Sequence, residues 1–314
     1  MPLPKPSQAK CEHAIETLKR LGKVVDAARE LKLPRSTLVS WLEIGRRDYG
    51  LEIPKIVPPA VKGRRYLEVI DGVIYVGGDA HYWPGDPSTA HRAFVRFIKR
   101  EKKLAAVVLN GDAYDFPNIS RHDSDWFQTP STKDELEVVE DRLGEIVKAS
   151  GKARRYFPRG NHDIRFDRYL AKNAPEMRGI SGMCIEDRNP LWEACWSLWI
   201  NDGPGGVVVK HRLRGGQHAT SNNVLWAGRT TVTNHLHNLQ CRPHVDYNGC
   251  RWGVDAGTLC DIWAPQFSYL EDNPRSWSAG FARLKFIGGK LLTPELIRVV
   301  EPGVVEFRGE LIEV

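Results

Sequence analysis

Five short groups of carboxylate, imidazole and amide side chains follow one another through the middle of the chain. They are Asp79-Ala80-His81, Asp112-Ala113-Tyr114-Asp115, Asn161-His162-Asp163, His211 and His235-Leu236-His237. Side chains of these types bind divalent metal ions and transfer protons. One such group alone is more often structural than functional, but five in this order favour a shared metal site.

Each group directly follows a segment whose composition is typical of a buried strand. These strands are predicted over residues 72–76, 105–109, 154–157, 207–209 and 231–234. Helical patterns lie between them, for example over residues 132–150, and this alternation predicts a layered α/β domain. Because open α/β sheets bind ligands at the carboxyl ends of their strands, we expect the five groups to lie close together.

In their order the five groups resemble the motifs of the calcineurin-like metallophosphoesterases, which are D-x-H, G-D-x-x-D, G-N-H-[DE], a strand-end histidine and G-H-x-H. The resemblance covers residues 70–240 and implies an α/β fold, the two-sheet αββα sandwich, completed by strands near the C-terminus. Two positions depart from the pattern, because Asn234 and Arg212 stand where the family has glycine. Glycine there usually serves an unusual backbone angle, which asparagine tolerates better than other residues do.

The resemblance implies two divalent metal ions as cofactors. By motif match, one ion is expected on Asp79, His81 and His237, the other on Asn161, His211 and His235, with Asp112 bridging them. Mixed imidazole, carboxylate and amide ligands favour Mn²⁺, with Fe, Zn²⁺ or Ni²⁺ as alternatives, over Mg²⁺. His218 competes with His211 for the strand-end position, and the strand predicted over residues 207–209 favours His211.

The resemblance also implies a mechanism. A water that bridges the two ions attacks phosphorus in line, and His162 assists the leaving oxygen as a general acid or as a charge stabiliser. Asp115 is expected to orient His162 through a hydrogen bond that fixes its tautomer. Asp163 is expected instead to cap the helix that follows it.

Candidate substrate contacts lie close to the motifs. They are Tyr82, Arg121, His122 and Arg165. Tyr82 is a candidate for base stacking, whereas the other three are candidates for phosphate contact or for structural and surface positions. Trp192, Trp196 and Trp199 are spaced by four and three residues, which predicts one helical face that is more often core than a base-stacking platform.

The N-terminal fifth of the chain carries all of the basic excess. Residues 1–66 hold 14 Lys and Arg against 7 Asp and Glu, a net charge of +7, whereas the whole chain has +6. Apolar spacing predicts helices over residues 8–21, 23–32 and 35–44, with Gly45 as the last helix stop. These helices resemble a small helix-turn-helix unit, whose last helix presents its early residues to the DNA major groove. The residues so presented are Arg35, Ser36, Thr37 and Ser40.

Three segments are therefore predicted: a DNA-binding unit over residues 1–52, a proline-rich basic linker over residues 53–65, and a metallophosphoesterase domain over residues 66–314. This combination resembles phosphoesterases of bacteriophage genomes. The alternative for the basic unit is a solvated charged surface without a partner.

These features predict a metal-dependent phosphodiesterase that acts on DNA, a nuclease. The alternatives are a phosphomonoesterase or protein phosphatase that the basic unit targets to its substrate, and a DNA-binding regulator with an inactive domain. No apolar stretch reaches the length of a membrane span, and the cysteine spacing suggests free thiols. A cytoplasmic location is expected, in the host cytoplasm if the protein is encoded by a phage.

Overall fold

The computed structural model describes residues 6–21, 24–52, 63–120, 129–203, 205–264, 267, 273 and 276–314. The chain divides into two compact units, residues 1–62 and residues 63–314. Each unit has a hydrophobic core of its own. None of the helices in the described ranges combines the length and the apolar character that crossing a lipid bilayer requires.

The small unit is built from three helices. They are α1 (Gln8–Leu21), α2 (Val24–Glu30) and α3 (Arg35–Tyr49). Their apolar stripes meet in a core that includes Ile15, Leu18 and Leu38. All three helices were predicted, because apolar residues recur at helical spacing in each of them.

The first two turns of α3 contain the residues predicted to contact DNA. Thr37 is half-buried and Ser40 is exposed. The side chains of Arg35 and Ser36 lie outside the described part of the chain. Contact of these turns with DNA stays a prediction.

Gly45 does not end α3, contrary to the prediction. The helix continues to Tyr49 and stops at Gly50, whose left-handed backbone (φ 63°) lets its N–H donate to Gly45 O. A side chain at position 45 would place its Cβ only 3.2 Å from Cys11 Cβ. Gly45 therefore allows the close approach of α1 and α3.

The large unit alternates strands and helices. Its helices are α4 (Thr89–Arg100), α5 (Thr132–Ser150), α6 (Ile164–Asn173), α7 (Ile185–Arg188) and α8 (Ala219–Ala227). Its strands are β1 (Arg64–Leu67), β2 (Gly72–Gly77), β3 (Leu104–Leu109), β4 (Arg154–Pro158), β5 (Glu193–Cys195), β6 (Ser197–Ile200), β7 (Val207–Val209), β8 (Thr230–Thr233), β9 (Gln240–Asp246), β10 (Gly249–Asp255), β11 (Gly280–Ile287), β12 (Lys290–Leu291), β13 (Glu295–Glu301), β14 (Val304–Phe307) and β15 (Glu310–Glu313). Thus β1 begins inside the segment predicted as a linker, of which residues 53–62 lie outside the described residues.

Within the described residues the strands form two sheets. One has the order β1-β6-β7-β8-β10-β9, and the other has the order β15-β14-β13-β11-β2-β3-β4-β5, with β12 paired to β11. Strands β2, β3 and β4 run parallel in the second sheet, and β7 and β8 run parallel in the first. The carboxyl ends of these strands are therefore gathered at one edge of each sheet.

Alternating side chains along the strands build two apolar layers. In β2, Ile74 and Val76 pack with Val209 of the other sheet, whereas Val73 and Tyr75 point to the opposite side, where α4 and α5 pack. Helix α8 packs on the first sheet, against β8, β9 and β10. Two sheets with helices outside both confirm the predicted α/β sandwich.

The three clustered tryptophans do not lie on a helix, contrary to the prediction. Trp192 precedes β5, Trp196 lies between β5 and β6, and Trp199 belongs to β6. Trp192 is buried, whereas Trp196 is 41% exposed. Strands of three and four residues are too short for their alternation to be distinguished from a helical spacing.

Candidate metal centre

Sharp turns after the parallel strands direct the predicted ligands toward one another. Five of the ligands have a positive φ, namely Asp79 (48°), His81 (39°), Asp112 (49°), His235 (77°) and His237 (55°). This conformation is uncommon for residues with a side chain, although Asp and His adopt it more often than most. It costs roughly 1–3 kcal/mol per residue, and such strain is typical of functional sites.

The first group of ligand atoms comes from Asp79, His81 and His237. These atoms lie within 4.8 Å of one another, and all three side chains are buried. Asp79 Oδ1 is 3.6 Å from His237 Nε2, and Asp79 Oδ2 accepts a hydrogen bond from the backbone N–H of His235 (2.5 Å). Burial would raise the pKa of Asp79, but the neighbouring His237 and His211 lower it. The carboxylate is therefore ionised and suited to a cation.

The second group comes from Asp112, His211 and His235, whose ligand atoms also lie within 4.8 Å of one another. His211 Nε2 is 3.1 Å from Asp112 Oδ2, and His211 Nδ1 donates to Asn110 O (2.9 Å). Because a carbonyl oxygen only accepts, the hydrogen bond places a proton on Nδ1 and directs Nε2 to the group. Burial alone would lower the pKa of His211, but the carboxylates of Asp112 and Asp79 raise it to about 10. Without a cation, the two carboxylates therefore draw a proton onto His211.

The two groups are neighbours. His211 Nδ1 of the second group lies 3.8 Å from Asp79 Oδ1 of the first. Asn161, the remaining predicted ligand, lines the same cleft as His211 and has a buried Oδ1. The structure therefore brings all seven predicted ligands to one place.

Three polar atoms of the ligand residues indicate that the site accepts ions. Asp79 Oδ1 and Asn161 Oδ1, together with Nδ1 of the His237 ring, are buried polar atoms of candidate ligand residues, and they have no hydrogen-bond partner among the described residues. Buried polar atoms without a partner are uncommon and destabilising, so each of them needs an explanation. Carboxylate, imidazole and amide ligands suit ions such as Mn²⁺, Fe²⁺ or Zn²⁺. The residues present therefore fit a pair of divalent metal ions.

His162 lies beside both groups and is held by Asp115. Its Nδ1 is 2.8 Å from Asp115 Oδ1, and its Nε2 is 4.0 Å from Asp112 Oδ2. Burial would lower the pKa of His162, but the hydrogen bond to Asp115 and the charge of Asp112 raise it. Asp115 Oδ1 also lies 3.1 Å from His81 Nδ1, a second contact that sequence reasoning did not identify.

Asp163 does not cap the helix that follows it, contrary to the prediction. It stands at the N-terminus of α6 but makes no capping hydrogen bond. Its buried carboxylate accepts instead from four backbone N–H groups, those of Gly160 (2.7 Å), Asp112 (2.8 Å), Ala113 (3.0 Å) and Tyr114 (3.3 Å). Asp163 therefore joins the loop after β4 to the loop after β3. Burial and the charge of Asp112 raise its pKa to about 6.

Glu135 is a further buried carboxylate that sequence reasoning missed. Its Oε1 accepts from the backbone N–H groups of Asp115 (2.6 Å) and Phe116 (2.7 Å), so it holds the segment that carries Asp115. Burial raises its pKa to about 7. The sequence did contain a signal, because Glu135 shares the buried stripe of α5 with Val139 and Leu143, where a carboxylate is unexpected.

Asn234 replaces a glycine of the family motif for a reason other than an unusual backbone angle. It is not one of the described residues with a positive φ, contrary to the expectation. Its buried side chain accepts from Asn110 Nδ2 (2.8 Å) and donates to Gly257 O (2.8 Å). Asn234 therefore fixes Asn110, whose carbonyl in turn orients His211.

The surroundings of Tyr82 do not favour its predicted stacking role. The ring is buried, and its hydroxyl group lies 2.8 Å from His91 Nδ1. Because Tyr82 belongs to the apolar layer under α4 and α5, it supports the fold and not the substrate. His218, the alternative to His211, is exposed at the start of α8.

Among the predicted substrate contacts that the structure describes, Arg165 lies beside His162. Its Nη1 donates to Asp115 O (2.7 Å), and its Nη2 is 3.3 Å from His162 Nε2. Arg121 and His122 lie outside the described residues, so their contact with substrate stays a prediction. Arg165 therefore places a positive charge beside His162.

Two adjacent histidine–carboxylate groups at the strand ends of an α/β sandwich define a candidate dinuclear metal centre. No protein-family model and no curated protein matches the sequence. Similar solved structures include Vps29 from Chaetomium thermophilum, with 12% identity over 78% of this chain and 97% of that chain and a TM-score of 0.44. Vps29 from Cryptosporidium parvum has 11% identity over 78% of this chain and 100% of that chain, with a TM-score of 0.43. The nuclease MPE of Pseudomonas putida has 10% identity over 70% of this chain and 86% of that chain, with a TM-score of 0.29. At such low similarity, function has to be argued from the site.

Proposed function

We propose that the protein is a dinuclear-metal-dependent phosphodiesterase that hydrolyses DNA. One observation carries the proposal: the Asp79 group and the Asp112 group of ligand atoms are adjacent, and His162, oriented by Asp115, lies beside both. The order of these residues in the sequence, which resembles the calcineurin-like metallophosphoesterases, supports the same chemistry.

In this proposal the ligands divide between two ions. Asp79, His81 and His237 would hold one ion, and Asn161, His211 and His235 would hold the other, with Asp112 available to both. Such ions neutralise phosphoryl oxygens and lower the pKa of a bound water.

His162 supplies the acid step. Asp115 hydrogen-bonds its Nδ1 and so directs Nε2 toward the centre. Nε2 then donates a proton to the departing ester oxygen, which would otherwise leave as an unstable alkoxide. Arg165, next to His162, binds a phosphate oxygen and adds positive charge where negative charge accumulates.

The small unit supports DNA as the substrate. The N-terminal 66 residues carry a net charge of +7, and they contain three helices, with Ser40 of α3 exposed, whose sequence pattern resembles a helix-turn-helix unit. A basic unit attracts the phosphate backbone without regard to base sequence. When such a unit is tethered to a catalytic unit, it raises the local concentration of DNA there.

The proposal is tested with Mn²⁺-loaded protein and four substrates: supercoiled plasmid, linear duplex DNA, single-stranded DNA and bis-p-nitrophenyl phosphate. We expect hydrolysis of DNA and of the small diester. His162→Ala should bind Mn²⁺ normally while its turnover falls by about 10²–10⁴-fold, because only the acid step is removed. His218→Ala, which changes an exposed histidine that belongs to none of the candidate ligand groups, is the matched control and should behave like the wild type.

Three outcomes would contradict the proposal in different ways. Intact DNA together with rapid turnover of p-nitrophenyl phosphate would indicate a phosphomonoesterase. Hydrolysis of the small diester alone would leave the metal chemistry in place and remove DNA as the substrate. Failure to bind Mn²⁺, Fe²⁺ or Zn²⁺ would remove the enzyme assignment altogether.

A further inference from the structure

A cleft opens on one side of the metal centre, next to Asn161 and His211. It has a volume of about 330 Å³ and is lined by Arg159, Trp196, Lys210 and Arg212 together with those two ligands. This volume lies in the range of small-molecule and nucleotide pockets. The cleft therefore combines three basic side chains and an indole ring with direct access to the ligands.

Two of the three basic side chains of the cleft carry positive charge that no acidic side chain in the described structure neutralises. Among the described residues, Lys210 and Arg212 form no ion pair, and Lys210 is half-buried. A polyanion in the cleft would neutralise this charge.

Trp196 is exposed yet fixed in place. Its indole is 41% exposed, while the guanidinium of Arg159 lies 4.5 Å from the ring centre. Arg159 is itself held by Glu186, at 2.9 Å. The backbone N–H of Trp196 donates to Gly63 O (2.6 Å), and a side chain at position 63 would collide with the ring. A large aromatic surface that is both exposed and immobilised is suited to stacking.

We infer that this cleft binds the nucleotide next to the scissile phosphate of single-stranded DNA. The base stacks on Trp196, and Lys210 and Arg212 bind the adjoining phosphates. Single-stranded nucleic acid is recognised by this combination of an aromatic platform and a basic groove. A base within a duplex has both faces covered by its neighbours, so an unstacked strand fits the cleft better. The inference rests on the proposed function, because the cleft adjoins the centre where the diester would be cleaved.

The test measures binding separately from cleavage. A fluorescein-labelled single strand of about six nucleotides is titrated with Mn²⁺-loaded full-length protein that carries His162→Ala, and anisotropy reports the Kd. A strand of this kind offers no major groove to the small unit. Trp196→Ala should raise the Kd roughly tenfold, and Trp196→Phe, which keeps an aromatic ring, should raise it less.

Matched controls come from the same unit. Trp226 is 66% exposed and also lies under a guanidinium, that of Arg214 at 3.4 Å, but it does not line the cleft. Trp226→Ala should therefore leave the Kd unchanged. Lys210→Met should raise the Kd and reduce the salt slope by about 0.7, as expected for loss of one phosphate contact. Lys99→Met, at an exposed position of α4, should change neither.

The outcomes separate this inference from the proposed function. Equal Kd values for Trp196→Ala, Lys210→Met and their controls would contradict the inferred binding role of the cleft, even if the wild type cleaves DNA. If binding depends on Trp196 but the wild type cleaves no DNA, the inferred binding role of the cleft would be supported and the nuclease proposal would be contradicted. No binding of the strand at all would overturn the inference about the cleft.

Discussion

At the scale of single residues, Asp115 would link metal binding to proton transfer in the proposed mechanism. One of its oxygens lies 2.8 Å from Nδ1 of His162 and 3.1 Å from Nδ1 of His81. Burial would raise the pKa of Asp115, but hydrogen bonds from these two histidines lower it. An ionised carboxylate only accepts hydrogen bonds, so it favours the proton on Nδ1 of each ring. In the proposed mechanism, Nε2 of His81 would therefore face a metal ion, and Nε2 of His162 would face the substrate.

Glu135, which accepts a hydrogen bond from the backbone N–H of Asp115, makes the free energy of unfolding depend on pH. Burial raises its pKa to about 7 from an ordinary 4.5, so the native state binds the proton more tightly than the unfolded state does. The contribution of Glu135 protonation to the free energy of unfolding is fully present below about pH 4.5. It is lost as the pH rises through 7, and the total loss is about 3 kcal/mol. Glu135→Gln cannot ionise, and its free energy of unfolding relative to the wild type should increase by about that amount between these pH values.

The measurement is urea unfolding of metal-free protein at about pH 5 and pH 8. Glu137→Gln, on the exposed side of α5, is the control and should show the same pH dependence as the wild type. If the free energy of unfolding of Glu135→Gln showed the same pH dependence as that of the wild type, the raised pKa of Glu135 would be refuted.

At the scale of elements, hydrogen bonds join the loop after β3 to the loop after β4. Asp163, after β4, binds backbone N–H groups of the loop after β3, and the backbone N–H of His162 donates to Asp112 Oδ1 (2.8 Å). This packing leaves no space at Gly160, where a Cβ would lie 2.0 Å from Asp112 Oδ1 and 2.5 Å from Asp112 N. Glycine is therefore needed at position 160 for close approach.

Gly160→Ala should displace the Asp112 carboxylate and weaken Mn²⁺ binding by about 10–100-fold, as loss of supporting contacts around metal sites does. Gly144→Ala is the matched control, because position 144 lies within α5 and has no atom within 4 Å of the added Cβ. The control should keep Mn²⁺ affinity and gain about 0.5–1 kcal/mol of stability. Isothermal titration with Mn²⁺ and thermal unfolding measure both effects, and normal Mn²⁺ affinity in Gly160→Ala would contradict the expected clash.

Elements with clear periodicity were predictable from the sequence, whereas those that depend on distant partners were not. Helix α5 was predicted over residues 132–150, which are its observed bounds, because its apolar stripe is long. Asp163 was taken for a helix cap because its true partners, the backbone N–H groups at positions 112 and 113, are remote in sequence. Trp196 was assigned to a helical face because nothing in its neighbourhood reveals strands of three and four residues.

At the scale of the whole molecule, charge and chemistry are divided between the units. Residues 1–66 have a net charge of +7, which leaves −1 for residues 67–314, whereas the candidate ligands all lie in residues 63–314. Such a division predicts that attraction to DNA and hydrolysis of a diester can be separated by mutation. Residue 52 lies after the end of α3 at Tyr49 and before the start of β1 at Arg64. Truncation at this residue therefore removes the three helices of the small unit and keeps every described strand of the large unit.

Removal of residues 1–52 should leave hydrolysis of bis-p-nitrophenyl phosphate unchanged. The affinity for duplex DNA should fall, and the dependence of log K on log salt should become shallower, because fewer phosphates are neutralised. Filter binding or anisotropy over a range of salt concentrations measures the effect. Equal duplex affinity and equal salt slope in the truncated protein would show that the small unit does not bind DNA.

The left-handed backbone at five of the ligands also limits which substitutions report on metal binding alone. Asp, Asn and His tolerate a positive φ better than alanine does, and φ is 48° at Asp79 and 49° at Asp112. Alanine at these positions would remove a ligand and strain a loop at once, so its effect would overstate what the ligand contributes. Asparagine keeps the shape and the tolerance for this backbone and removes only the charge. At these turns, the same backbone geometry that directs the ligands inward thus narrows the residue types that the chain accepts.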